Sequence, residues 1–148
     1  MIDVLVAGGG PAGLATALYG AKAGLEIVVI EKRSGTIDKA CGEGLMPHSL
    51  AHLNRLGVDP PGKPLHGISY HDGHRSVSAA FRSGVGRGVQ RTALHGALLD
   101  AVAAAGVKVV QGDVGEVSQD AMSVRCGGFR ARYLAAADGL HSPIPVSY

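Results

Sequence analysis

The residues Gly8-Gly9-Gly10-Pro11-Ala12-Gly13 carry the spacing G-x-G-x-x-G directly after a short β-branched run, Ile2 to Ala7. Each fixed glycine has a physical task. Gly8 permits a tight turn, Gly10 lets backbone approach a pyrophosphate, and Gly13 lets the following helix pack closely on its strand. The helix opening beside Pro11 and Ala12 presents free N–H groups and a positive dipole end to phosphate oxygens. Glu31 lies at the end of the next apolar run, eighteen residues after Gly13. A carboxylate there can accept hydrogen bonds from a ribose 2′-hydroxyl and repels a 2′-phosphate, which disfavours NADP in this pocket. The chemistry that these residues suit is the binding of a dinucleotide.

Other reactive side chains give weaker patterns. His48 and His52 are spaced for one helix face, and His71 and His74 flank a turn. Neither pair has a third ligand at a telling distance, so no metal is expected. His95 and His141 read as near the nucleotide or, more commonly for isolated histidines, as structural. No Ser-His-Asp arrangement is readable from spacing. Cys41 and Cys126 are too few for a disulfide framework and fit a reducing compartment.

The elements that must position the glycine turn are legible around it. Ile2 to Ala7 reads as a buried parallel strand, Ala12 to Ala23 as a helix closed by Gly24, and Ile27 to Ile30 as a second buried strand. Ser34 to Gly44 is expected to be a loop. Pro47 starts a helix to about Leu56, and Pro60, Pro61 and Pro64 form a stiff connector. The stretch LHGISYHDGHRSVSAAF predicts a hairpin about Asp72-Gly73. Thr92 to Ala105 predicts a helix, Val107 to Val110 another buried strand, and Val114 to Ala137 a run of short strands. The order predicts an α/β domain with a parallel central sheet and a small antiparallel excursion.

At 148 residues the chain has room for one sizeable core. A net charge of +2 without blocks of like charge argues against a nucleic-acid surface. The N-terminus lacks the basic region and cleavage site of a signal peptide, and no apolar run approaches the roughly eighteen residues of a membrane span. A cytoplasmic protein is expected.

Three separated stretches carry a resemblance: VLVAGGGPAGLATALYGAKAGLEIVVIEK, KACGEGLMP, and RTALHGALLDAVAAAGVKVV followed by AAADGLHS. In order and spacing they resemble the N-terminal part of the flavoprotein superfamily of aromatic-ring hydroxylases and geranylgeranyl reductases. The resemblance implies a Rossmann-like FAD-binding domain. It implies that Gly8, Gly10 and Gly13 contact the FAD pyrophosphate and that Glu31 holds the adenosine ribose, with Lys32 beside it. Arg91 matches the family arginine near the flavin phosphate or ribityl chain, a task that suits a planar fork of donors. Val114 falls where relatives meet the adenine through backbone groups. Asp138-Gly139 resembles an Asp-Gly motif linked to both FAD and the nicotinamide nucleotide.

The loop ACGEGLMP resembles the Cys-Gly-x-Gly loop of the reductase-like branch more than the arginine-containing loop of typical hydroxylases. Gly42 and Gly44 would let backbone approach the flavin, and Cys41 is either a reactive thiol or a small packing residue. The implied activity is NAD(P)H-driven flavin reduction followed by double-bond reduction or oxygenation of a small-molecule substrate. Relatives are usually more than twice this length and continue into a substrate-binding sheet and a Gly-Asp motif. Pro145, where relatives often carry Arg, departs from the pattern. Residues 1–148 therefore read as an incomplete FAD-binding domain, completed by a C-terminal half or a complementing chain. The alternative is a non-catalytic module binding FAD or NAD, although an NAD domain leaves the CGEGL and ADG stretches without a role.

Overall fold

The computed structural model describes residues 1–38 and 43–144. The chain opens with β1 (Ile2–Ala7), α1 (Pro11–Lys22) and β2 (Ile27–Glu31). The short strand β3 (Gly44–Leu45), α2 (Pro47–Arg55), β4 (Gly62–Leu65), the hairpin β5 (Gly67–His71) and β6 (Ser76–Ala80), and β7 (Gly86–Val89) follow. α3 (Arg91–Ala104) then leads into β8 (Lys108–Gln111), β9 (Ser118–Gln119), β10 (Val124–Cys126) and β11 (Phe129–Ala136).

The main sheet has the order β8-β2-β1-β11-β10-β9. Its four leading strands are parallel, and β10 and β9 add antiparallel. β1 sits between β2 and β11, with Val6 opposite both Val29 and Ala135. Because side chains alternate across a strand, Val4, Val6, Ile27 and Val29 face one side and Leu5, Ala7, Val28 and Ile30 the other. Both faces are covered, which is why these strands read as continuous apolar runs. The first face packs on Leu14 and Leu18 of α1 and on Leu94, Leu98 and Val102 of α3. The second packs on Val114, Val124, Cys126 and Ala131. Each large apolar side chain so buried contributes roughly 1.5–3 kcal/mol.

Helix ends follow local rules. Pro11 and Pro47 occupy first turns, where a missing N–H costs nothing. Gly24, Gly57 and Gly106 follow the three helices at φ +78°, +78° and +71°, the left-handed angles that end a helix without a Cβ penalty.

Two expected elements differ. The third parallel strand was expected to be buried, but β8 is largely exposed and Val109 projects into solvent. Among the described residues it is an edge strand, paired only to β2, so a β-branched run here marks pairing rather than enclosure. The proline connector also contains a strand: β4 pairs with β7, Pro64 lying opposite Arg87. β4 is the edge of the small β3-β7-β4 sheet, and an edge tolerates a residue without an N–H. Gly62 is needed there, since an added Cβ would overlap the Gly88 carbonyl oxygen.

Cys41 and Gly42 lie outside the described residues, as does Pro145. Among the described residues no helix is long and apolar enough to cross a membrane.

Candidate functional site

The carboxyl ends of β1, β2, β8 and β11 open onto one cavity of about 460 Å³. That is the crevice where open parallel sheets hold ligands, and its size falls within the roughly 300–1,000 Å³ typical of small-molecule pockets. Each strand end supplies a piece of wall. Gly8, Gly10, Pro11 and Ala12 follow β1, and Glu31 and Lys32 lie at the end of β2. Val114 follows β8, Asp138 and Gly139 follow β11, and Arg91 enters from the first turn of α3.

The three glycines of the turn are required for different reasons. Gly8 holds φ +100°, and a Cβ on it would come within 2.5 Å of the Ala137 carbonyl oxygen. A Cβ on Gly13 would overlap the Gly8 carbonyl oxygen, so Gly13 allows α1 to approach the turn and does not line the cavity. A Cβ on Gly10 would meet nothing within 4 Å. The absence of a side chain at Gly10 therefore keeps cavity space open, whereas at Gly8 and Gly13 it answers a need of the fold itself.

The start of α1 is built to receive an anion. Gly10 is its N-cap, no side chain caps it, and its first turn holds no acidic residue. The N–H groups of a first helical turn lack intrahelical partners, so the positive end of α1 faces the cavity with no acidic side chain in its own first turn. Glu31 stands beside the glycine turn in the same wall. Its Oε2 accepts the Gly9 N–H at 2.6 Å and its Oε1 accepts the Arg33 N–H at 2.9 Å. Each carboxylate oxygen has a second lone pair, so both can still accept from a hydroxyl. Asp138 Oδ2 is buried without a hydrogen-bond partner among the described residues. That acceptor is free to take a donor from a ligand or a water.

Lys32, Arg33 and Arg91 set cationic charge against Glu31, Asp113 and Asp138 around the cavity. The arrangement suits a ligand with anionic and hydroxylated parts. Gly44 lies apart from this cavity, opposite Gly88 in the small sheet. Among the described residues no three His, Cys, Asp or Glu side chains converge as metal ligands. His52 instead bonds the Tyr19 hydroxyl at 2.6 Å, a tie between α2 and α1.

The sequence reading missed several cavity residues and left His95 between a place near the nucleotide and a structural one. Ile37, Gly112 and Asp113 line the cavity; the rule that ligands sit at parallel strand ends would have pointed to Gly112-Asp113, just after β8. His95 lies behind the turn, 1% exposed, and bonds the Gly9 carbonyl. Its signal was a polar residue on the face of α3 that also carries Leu94, Leu98 and Val102.

A family model described as an FAD binding domain matches residues 1–147. The chain belongs to this FAD-binding family. Its relatives include both reductases and monooxygenases. Residues of this FAD-binding chain are 50% identical over 56 positions to menaquinone reductase of Mycolicibacterium smegmatis, covering 38% of the chain and 14% of that protein. They are 45% identical over 74 positions to 6-methylpretetramide 4-monooxygenase of Streptomyces rimosus, covering 49% and 17%. The matches thus span about a sixth or less of these relatives' length.

Solved structures share the fold over almost all of the chain. The p-nitrophenol 4-monooxygenase of Pseudomonas putida superposes with a TM-score of 0.83 at 24% identity, covering 97% of this chain and 42% of that one. A geranylgeranyl bacteriochlorophyll reductase-like protein of Thermoplasma acidophilum gives 0.70 at 26% identity, covering 93% and 39%. A Rossmann-like FAD-binding fold in a family of oxidoreductases is thereby established.

The residues of the cavity fit FAD. The open space at Gly10 leaves room for a group close to the backbone, the uncapped helix start suits a pyrophosphate, and the acceptors on Glu31 and Asp138 suit ribose or ribityl hydroxyls.

Proposed function

We propose that this chain is the FAD-binding part of an NAD(P)H-dependent flavoprotein oxidoreductase acting on a small-molecule substrate. The observation that carries the reading is the cavity at the carboxyl ends of the parallel strands, with open space at Gly10 and an orphaned acceptor at Asp138. In the proposed complex the first turn of α1, with Gly10, Pro11 and Ala12, holds the pyrophosphate. Gly8 and Gly13 shape that turn. Glu31 accepts from the adenosine ribose, Lys32 flanks it, and Val114 bounds the adenine. Arg91 offers its guanidinium to phosphate, and Asp138-Gly139 receives the ribityl side. Cys41, Gly42 and Gly44 are proposed to approach the flavin ring.

When bound, FAD supplies two-electron chemistry, accepting electrons from a reduced nicotinamide and passing them to a substrate or to oxygen. The chain's own contribution is to bind, orient and partly shield the cofactor. Relatives named as reductases and as monooxygenases both support the oxidoreductase reading, and the resemblance of the CGEGL stretch favours the reductase-like branch. The proposed protein works in the cytoplasm, with the substrate-binding part supplied by further chain or by a partner.

A second reading is a dinucleotide-binding module without turnover, which the same glycine turn and carboxylate accommodate. Anaerobic mixing of the FAD-loaded protein with NADH or NADPH separates the readings. Bleaching of the visible flavin bands supports the oxidoreductase. Retained FAD that neither nucleotide bleaches supports the module, and failure to hold FAD in competition with NAD and ADP-ribose overturns the FAD assignment.

A further inference from the structure

A run of consecutive glycines has more backbone freedom than any other sequence, so the orientation of Gly8-Gly9-Gly10 must be imposed from outside. Two side chains from distant parts of the chain impose it. Glu31 Oε2 accepts the Gly9 N–H at 2.6 Å, and His95 Nε2 meets the Gly9 carbonyl oxygen at 2.7 Å. The other ring nitrogen, Nδ1, accepts the Ile37 N–H at 3.1 Å.

These partners fix the tautomer. An Nδ1 that accepts carries no proton, and a carbonyl oxygen can only accept, so the ring proton sits on Nε2 and is donated to Gly9. The peptide between Gly9 and Gly10 is planar and trans. With its C=O turned toward the buried imidazole, its N–H, that of Gly10, is turned the opposite way. The Gly8 N–H is already bonded to the Ile30 carbonyl at 2.8 Å, and the Gly9 N–H to Glu31. The Gly10 N–H has no partner among the described residues, and Gly10 lines the cavity.

We propose that His95 is a positioning residue: its Nε2–H holds the Gly9–Gly10 peptide so that the Gly10 N–H points at the cofactor phosphate. The proposal rests on the FAD reading for the identity of that phosphate. Through Nδ1 the same ring ties the turn to Ile37, which also lines the cavity. One residue of α3 thus joins the glycine turn and Ile37 to the helix that also carries Arg91.

The test separates the two ring contacts. In His95→Gln the side-chain amide can still donate near the Nε2 position, whereas in His95→Asn the shorter amide keeps an acceptor near Nδ1 and loses the bond to Gly9. Thermal unfolding first shows both variants folded. FAD titration then reads affinity, and ¹H–¹⁵N spectra of the ligand-free protein read the Gly9 and Gly10 amides. The expected result is about a tenfold loss of FAD affinity in His95→Asn, the effect of one hydrogen bond. His95→Gln is expected to stay within about threefold of the parent, since its donor is retained. The Gly9 and Gly10 resonances move in the Asn variant and stay in place in the Gln variant.

Equal affinity in both variants and the parent overturns the proposal, as does an equal loss in both. A parent protein that binds no FAD, with the Gly9 and Gly10 resonances still responding to Asn and not to Gln, overturns the cofactor reading while supporting the role of His95 in aiming the peptide.

Discussion

Two glycine turns in this chain hold nearly the same backbone angle and have opposite surroundings. Gly8, between β1 and α1, has φ +100°, and Gly73, at the tip of the β5–β6 hairpin, has φ +92°. The Gly8 turn is tied to its neighbours by Ile30, Glu31, His95 and, through the Ala137 N–H, the end of β1. The Gly73 turn is held by Asp72, whose Oδ1 accepts the N–H groups of His74 and Arg75. Among the described residues β5 and β6 pair only with each other, and Tyr70 and Val77 are 71% and 68% exposed. A positive φ therefore marks a turn, and the density of fixed groups around it marks a site.

The largest expected effect compares the two glycines directly. Gly73→Ala should cost about 1–2 kcal/mol, the strain of a left-handed L-residue with open space around it. Gly8→Ala adds a collision with the Ala137 carbonyl and should cost more than about 4 kcal/mol, in the range reserved for a broken core or strained backbone. Denaturant unfolding measures both, and equal losses would break the comparison.

The next effect uses side chains. Leu14→Ala, at a fully buried position against the turn's helix, should cost about 3 kcal/mol. Tyr70→Ser on the hairpin should stay within about 0.5 kcal/mol. A large loss at Tyr70 would mean that the hairpin is covered in solution.

A smaller effect concerns acid. The His74 and Arg75 N–H groups hold the Asp72 carboxyl below its ordinary value of 3.8. A depressed folded value means that this contribution is present above the unfolded value and is lost as pH falls through the folded one, in a window below about pH 4. Amide exchange at His74 and Arg75, corrected for intrinsic rates, should accelerate there. The Gly8 N–H, bonded to the Ile30 carbonyl, has no titrating partner and should not follow them. Burial likewise raises Cys126 above its usual thiol value, so a thiol reagent should label it only after unfolding, and rapid labelling would place it at the surface.

Much of the comparison was legible in the sequence because it is written locally. The turn glycines, Pro11 and the two apolar runs specify β1, α1 and β2 within the first thirty-one residues. Asp72-Gly73 specifies the hairpin in the same way. What escaped depends on partners far along the chain. β8 looks like β2 in sequence, but it lies at the sheet edge while β2 lies inside, a property of strand order rather than of composition. The strand around Pro64 exists because β7 is there to pair with it. His95 reaches Gly9 across 86 positions, so no local pattern could announce the contact. The cavity residues at strand ends were legible where a motif named them, and Asp113, without a motif, was not.

Gly10 is proposed to be a glycine for the sake of the cofactor, whereas Gly8 is one for the sake of the fold. The direct measurement is FAD titration of the parent and of Gly10→Val, followed by the visible flavin spectrum after desalting and by unfolding of the same samples. An unchanged fold is expected, with FAD affinity lower by at least about a hundredfold, because a Cβ placed in open protein space would occupy the phosphate position. Undiminished FAD binding by a folded Gly10→Val protein would contradict the account and place the cofactor elsewhere.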